Sequence, residues 1–164
     1  MIEKKKYRFK KASQEEIVLF TLLGESLCAV QMLEDALSHL IVLKKTEPDQ
    51  KKEADDLLKK QRSLTFGNAM KIAKEESFLS KPLEIELSKL LKERNWLVHH
   101  SITENKNDFK SDTYFNQLFE KIEAITSKAN ELQISIEVDL FEYCEKKEID
   151  MTNVKNNINK YYGI

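Results

Sequence analysis

Residues 13–45 read SQEEIVLFTLLGESLCAVQMLEDALSHLIVLKK, and this stretch decides the fold class. Ser13 can accept the backbone amide of Glu16, while the Glu16 carboxylate reaches back to the amide of Ser13, which is the pattern of a helix start. Apolar residues then occupy more than one face of the helix: Leu19, Phe20, Leu23, Leu27, Val30, Leu33, Leu37, Leu40 and Ile41. Such a helix is usually central in its domain or shared with another subunit. We therefore predict one long helix that ends near Lys45.

The composition also favours an all-α protein. A chain of 164 residues with 41% hydrophobic and 34% charged residues, but three Gly and two Pro, suits long helices better than a turn-rich β fold. This length is typical of one domain, so we predict a basic tail at 1–12 and a single helical domain at 13–164. The net charge of −1 excludes a surface that is basic throughout, so any contact with nucleic acid must be local.

Three further long helices and a short one follow. A segment from about 49 to 76 should be helical, with a kink or stop near 65–67, because Pro48 suits a first helical turn and Gly67 weakens a helix interior. Ser80 and Pro82 predict the start of a third helix. The polar stretch 103–112 predicts a loop.

A fourth helix should run from about 111 to 147, although the alternating residues 134–140 also leave a strand possible. Asp150 or Thr152 can start the short last helix, which should end at 161–163. The predicted architecture is an antiparallel bundle of four long helices plus a short C-terminal helix.

The N-terminus and the cysteines bear on location. The basic start followed by IVLFTLLG is similar to a signal peptide, but polar residues 13–16 separate the two parts, Glu25 interrupts the apolar run, and no small-residue cleavage site follows. Cys28 and Cys144 lack the spacing of a zinc site. We therefore expect a soluble, cytoplasmic protein with no membrane association, no metal and no cofactor.

One residue of the third helix does not fit its surroundings, in the stretch KERNWLVHHS at 92–101. Helical turns place Arg94 near the centre of an apolar stripe that contains Leu87, Leu90, Leu91, Leu97 and Val98. A buried guanidinium needs carboxylates, carbonyls or phosphate within reach. Arg94 is therefore either ion-paired to the first helix, through Glu25, Glu34 or Asp35, or part of a site.

The residues that follow Arg94 carry side-chain groups that can take part in catalysis. Asn95 and His99 share a face at i, i+4 spacing, and His100 lies further round, whereas His39 is typical of a surface histidine. A permanent cation, an amide and an imidazole that titrates near pH 7 are the groups that metal-free RNA cleavage requires. Arg94 and His99 point about 140° apart on an ideal helix, so they need either a second copy related by a two-fold axis or a local helix distortion.

In these residues the sequence resembles the HEPN superfamily, small helical-bundle proteins. Its ribonuclease members carry Arg, often a following Asn, and His after four to six intervening residues. Arg94, Asn95 and His99 match with four intervening residues, and His100 matches with five. The resemblance implies a homodimeric, metal-independent endoribonuclease that acts as a toxin or defence effector, with Arg94 and His99 catalytic and Asn95 positioning. It equally allows a non-catalytic helical dimer that serves as a protein-interaction or nucleotide-binding module.

Two further features bear on partners. Many such toxins have a nucleotidyltransferase antitoxin, and some antitoxins modify a tyrosine two residues after the histidine, where this chain has Ser101. At the N-terminus, aromatic residues are interleaved with the cations Lys4, Lys5, Lys6 and Arg8. This tail could follow an RNA backbone and stack on bases, or it could be a frayed solubilising tail.

Overall fold

A computed structural model describes residues 11–103 and 112–162 of the chain. Within these residues all regular structure is helical and no strand occurs, so the all-α prediction is confirmed. The helices are α1 (Gln14–Lys45), α2 (Lys51–Arg62), α3 (Phe66–Glu75), α4 (Lys81–His99), α5 (Asp112–Lys146) and α6 (Thr152–Tyr162). The basic residues at 4–8 and most of the predicted loop at 103–112 lie outside the described residues.

Helix α1 has the predicted start and end. The Ser13 hydroxyl accepts the amide of Glu16 at 3.2 Å, and the Glu16 carboxylate accepts the amide of Ser13 at 2.7 Å. The helix ends at Lys45, where Thr46 is extended and donates its amide to the carbonyl of Val42. The capping box therefore forms as the sequence predicted.

The predicted second helix is two helices, because the chain stops being helical between Arg62 and Phe66. Thr65 is extended and its side chain accepts the amide of Asn68, so this residue caps a new helix. Ser80 stands at the N-cap of α4 with Pro82 in the first turn, but its side chain makes no capping hydrogen bond. The predicted stop near 65–67 and the predicted start of α4 are confirmed. Helix α2 starts at Lys51 rather than near 49, so Pro48 is not in its first turn, and the side-chain cap at Ser80 is not formed.

The core is built around α1, which packs most extensively along α5 and also contacts α2, α3 and α4. Its fully buried side chains include Leu33, Leu37, Leu40 and Ile41. The ambiguous stretch 134–140 is helical, and Ile136 and Leu140 are buried while Ile134 and Val138 are exposed. The i, i+4 spacing of the buried residues, continued by Cys144, explains why a helix forms there.

Lys44 connects the end of α1 to two distant segments. Its ammonium donates to the carbonyl oxygen of Phe78 at 2.8 Å and to the carboxylate of Asp139 at 2.5 Å. The Lys44 side chain is largely buried, so these partners satisfy a cation that has little access to water. The C-terminal parts of α1 and α5 are therefore held together.

The outward face of α1 is apolar in its first half. Ile17, Phe20 and Leu27 are exposed there, and a Cβ added at Gly24, between them, would meet open space. By length and composition α1 is the one described helix that could cross a membrane, with 28% of its most apolar stretch buried. A core helix of a soluble protein passes the same test, so this is weak evidence for a membrane span.

Two helices end with a left-handed residue that is not glycine. Ser77 and Glu148 both have φ of 56°. Each is followed by an amide that donates to a carbonyl five residues back, from Phe78 to Ala73 at 2.9 Å and from Ile149 to Cys144 at 3.0 Å. This is the Schellman motif, in which glycine is the usual residue because it has no Cβ.

Replacing Ser77 by glycine should therefore stabilise the protein, since the left-handed strain is relieved at a position where the native backbone stays the same. We expect a gain of roughly 0.5–1 kcal/mol in the free energy of unfolding, measured by urea denaturation. Ser80→Gly is the matched control and should not stabilise, because Ser80 has an extended backbone. An unchanged or lower stability of Ser77→Gly would contradict the prediction.

Candidate functional site

Arg94 is ion-paired to the first helix. Its Nε donates to Oε1 of Glu34 at 3.1 Å, and the two side chains are 26% and 25% exposed. Of the three acids that the sequence offered, Glu34 is therefore the ion-pair partner of Arg94. Because both side chains retain contact with water, the pair contributes about 1 kcal/mol or less to stability.

The apolar stripe around Arg94 is only partly buried. Leu87, Leu90 and Leu97 are buried and Leu91 is half-buried, as predicted. Val98 is 43% exposed, so its assignment to the core is wrong. It lies at the edge of the stripe, about 40° round the helix from Arg94, whereas Leu97 and Ser101 remain buried at the same end of α4. One face of the end of α4 is thus open to solvent.

Asn95, His99 and His100 are all exposed at this open end. Helix α4 is a regular α-helix through His99, and the amide of His100 still donates to the carbonyl of Trp96 at 2.8 Å. The proposed helix distortion that would turn His99 toward Arg94 is therefore wrong. The two imidazole rings are 6.4 Å apart, at an interplanar angle of 75°. Both histidines are thus exposed to solvent on this face of α4.

Neighbouring residues fix the end of α4. The Lys121 ammonium of α5 lies 3.4 Å from the centroid of the Trp96 ring, a cation–π contact that joins the two helices. Ser101 is buried and donates its hydroxyl to the carbonyl of Leu97 at 2.6 Å. Its hydroxyl is thus engaged within the fold, at the position where some relatives of the resembled family carry a modifiable tyrosine.

A second arginine pair, next to Glu34, was not predicted. Arg62 at the end of α2 donates Nε to Asp35 at 2.6 Å and Nη2 to the same carboxylate at 3.1 Å. The hydrogen bonds from Arg62 are the main cause that holds the pKa of Asp35 below its ordinary value, with the charges of His39 and Arg62 acting in the same direction. The sequence predicted a helical segment from about 49 to 76 but no partner for Arg62, since no spacing signal links residues 27 positions apart.

His39 has a local role beside this pair. Its Nδ1 lies 2.9 Å from the backbone oxygen of Asp35 and 3.5 Å from the Asp35 carboxylate, so the partly exposed ring contacts only the preceding turn of α1 in these two interactions.

The carboxylates of Glu84 and Glu86 bind different lysines. Glu84 binds Lys81, and Glu86 binds Lys89 and Lys128. Among residues 11–103 and 112–162, no three His, Cys, Asp or Glu side chains are grouped to hold a metal ion.

Models of known protein families, curated proteins and solved structures give no match to this chain. The family resemblance therefore depends on the spacing of Arg94, Asn95 and His99 in its helical context. The chemistry of these residues is the basis for a functional assignment.

Proposed function

We propose that the chain is a metal-independent endoribonuclease of the HEPN type that acts as a toxin or defence effector. The observation that carries the proposal is the placement of Arg94, Asn95 and His99 at the solvent-open end of α4, with Arg94 held by Glu34. A guanidinium held by an ion pair suits phosphate binding, and an exposed imidazole on the same helix suits proton transfer.

The proposed site is completed by a second copy of the chain. In a regular helix the side chains of Arg94 and His99 diverge by about 140°, so a single chain does not aim both at one phosphate. A two-fold axis beside the end of α4 would bring two arginines and two histidines to one cleft. One histidine could then act as the base and the other as the acid.

The proposed reaction uses only the side chains of Arg94, Asn95 and His99 from the two copies. One His99 takes the proton of the ribose 2′-hydroxyl, whose oxygen attacks the adjacent phosphorus. The bond from phosphorus to the 5′-oxygen breaks, and the second His99 donates a proton to that oxygen. Arg94 stabilises the charge on the phosphorane-like transition state, and Asn95 orients the phosphate. The products are a 2′,3′-cyclic phosphate and a 5′-hydroxyl.

The finer architecture belongs to the same proposal, with α4 and α5 as an antiparallel pair, whereas α1 and α5 run in the same direction because Lys44 near the end of α1 meets Asp139 near the end of α5. Support comes from α4 and α5, where Glu86 near the start of α4 pairs with Lys128, and Trp96 near its end packs on the earlier residue Lys121. Two contacts in reverse order are typical of an antiparallel pair. We also propose a cytoplasmic location, in keeping with an RNA substrate and with a nucleotidyltransferase-type antitoxin as a further partner.

A second candidate is a non-catalytic helical dimer that binds a partner protein. The apolar outward face of α1, with Ile17, Phe20 and Leu27 exposed, favours this candidate. The pair between Arg94 and Glu34 would then be a structural ion pair only. The two candidates differ in whether RNA is cut.

The direct test is incubation of the purified full chain with RNA in EDTA. We expect cleavage that EDTA does not inhibit, with 2′,3′-cyclic phosphate on the upstream product, because the proposed acid, base and cation are all side chains. End-group analysis by mass spectrometry identifies the product. Intact RNA, or cleavage that survives in His99→Ala/His100→Ala, would contradict the proposal and leave the interaction module as the better assignment.

A further inference from the structure

Helix α1 has an exposed face along its first half that carries no charge. The residues of this face point within about 70° on either side of one line along the helix, and all are exposed: Ile17, Phe20, Thr21, Gly24, Leu27, Cys28, Gln31 and Met32. We refer to these residues as the outer face of α1. Exposed apolar surfaces of this extent usually mark an interaction site.

Farther along the helix, α2 covers the same direction. Asp35 follows Cys28 by seven residues, so the two side chains point within about 20° of each other. The Asp35 carboxylate accepts two hydrogen bonds from Arg62, the last residue of α2. Helix α2 therefore reaches the level of Asp35 and ends there, and the outer face of α1 lies beyond this cover.

The end of α4 lies at the level of this outer face. Lys44, near the end of α1, donates to the carbonyl of Phe78, just before α4 begins. Arg94, late in α4, pairs with Glu34, which comes earlier on α1, so the two helices run antiparallel. His99 lies roughly 7.5 Å beyond Arg94 along the axis of α4, which brings it to about the level of residue 29 of α1.

The end of α4 also lies along one edge of the outer face. Leu27 precedes Glu34 by seven residues and points within about 20° of it. Since Glu34 points toward Arg94, Leu27 is on the side of α1 that faces the end of α4. A molecule that packs on the outer face of α1 therefore stands beside the candidate site.

A two-fold axis through the outer face brings two ends of α4 together. If the axis lies in the plane of the contact, perpendicular to α1 and near Cys28, the two copies of α1 pack antiparallel. Both α4 helices then lie on the same side of the α1 pair, and their ends face each other across one cleft. An axis parallel to α1 would put them on opposite sides, so only the perpendicular axis joins two copies of Arg94 and His99.

The chemistry of the outer face suits a copy of itself. Two uncharged apolar surfaces meet without like-charge repulsion or a buried unpaired charge. A Cβ at Gly24 would meet open space, so a partner side chain can pack against the backbone there. A helix that lies on a membrane surface usually carries Lys and Arg on its polar face, whereas α1 has neither before Lys44.

We propose that the outer face of α1 is the interface with a second copy of the chain, packed antiparallel about a two-fold axis near Cys28. For the role of this interface the inference rests on the ribonuclease function proposed above, because the contact assembles one site from Arg94 and His99 of both copies. The interface itself can be tested without RNA.

Cys28 permits a direct test by cross-linking. It is exposed, whereas Cys144, the other cysteine of the chain, is buried. A short bismaleimide added to the dilute full chain should convert most of it to a covalent dimer, because the two Cys28 thiols lie near the axis. Cys28→Ser should give no covalent dimer and should still sediment as a dimer.

Sedimentation velocity of charged variants tests the rest of the surface. Leu27→Glu places two like charges in the contact and should raise the dissociation constant of the dimer by roughly tenfold or more. Ile134→Glu is the matched control, because Ile134 is an apolar residue of α5 that is 60% exposed, and it should leave the dimer unchanged. If Leu27→Glu does not fold, Phe20→Glu changes a residue that is 56% exposed and decides instead.

A monomeric full chain, a dimer that the charged variants of α1 do not weaken, or the absence of a Cys28 cross-link would each overturn the proposal. A monomer that co-sediments with phosphatidylcholine vesicles would assign the outer face to a membrane, and a monomer that does not would leave it to a partner protein. A dimer that responds to Leu27→Glu but cuts no RNA would support the interface and overturn the ribonuclease. RNA cleavage by monomeric Leu27→Glu would support the ribonuclease and overturn the two-fold arrangement.

Discussion

Replacing His99 by alanine should lower the rate of RNA cleavage in EDTA by about 10²–10⁴-fold, the usual contribution of a general acid or base. In the proposed dimer the substitution removes both proton-transfer groups at each site. Because His99 is exposed at the end of α4, its loss should leave the thermal unfolding midpoint nearly unchanged. The measurement is the single-turnover rate on a labelled RNA, together with a melting curve by circular dichroism.

Two further variants make this result interpretable. Glu93→Ala shortens an exposed side chain on the same helix and should cleave at the unchanged rate. His100→Ala should cleave within about tenfold of the unchanged rate, since Asn95 shares its face with His99 rather than with His100. A larger loss in His100→Ala than in His99→Ala would transfer the catalytic assignment to His100.

The second large effect is expected at Arg94. Arg94→Met keeps the length and apolar stem of the side chain but removes the cation, so cleavage should fall by about 10²–10³-fold, as for the loss of one transition-state donor. The stability should fall by about 1 kcal/mol or less, because the pair with Glu34 is a quarter exposed. Cleavage kinetics and urea denaturation measure the two effects separately.

Lys45→Met is the matched control for this change. Lys45 pairs with Glu76 at 2.6 Å from the same helix that carries Glu34, so its loss also removes one ion pair of α1. It should retain cleavage. If Arg94→Met weakens folding or dimerisation and the chain cuts no RNA, Arg94 is structural and the interaction module is the correct assignment.

The sequence predicted the helices well because their signals are local. The capping residues Ser13 and Thr65 act on amides three residues away, and burial follows the 3.6-residue period along each helix. The same period placed Val98 in the core, where it is not, because periodicity does not report how wide a part of the apolar stripe the neighbouring helices cover. Local sequence signals therefore predicted where the helices lie, but not how much of each apolar face the neighbouring helices cover.

In the candidate site, too, features with a local cause were predictable and features that depend on tertiary contacts were not. The need of Arg94 for an acid was predictable, because an arginine on an apolar stripe requires a counter-charge, and Glu34 was among the three acids considered. The pair between Arg62 and Asp35 was not predictable. It depends on the angle at which α2 returns along α1, which is set by tertiary packing rather than by residue order.

The connection of Lys44 to Asp139 has a consequence for synthesis on the ribosome. The chain is made from its N-terminus, but the main packing partner of α1 is α5, the last of the long helices. Until Asp139 has left the ribosome, Lys44 lacks its carboxylate and the buried face of α1 lacks its cover. The nascent chain is therefore unable to complete the packing of α1 until α5 has been synthesised.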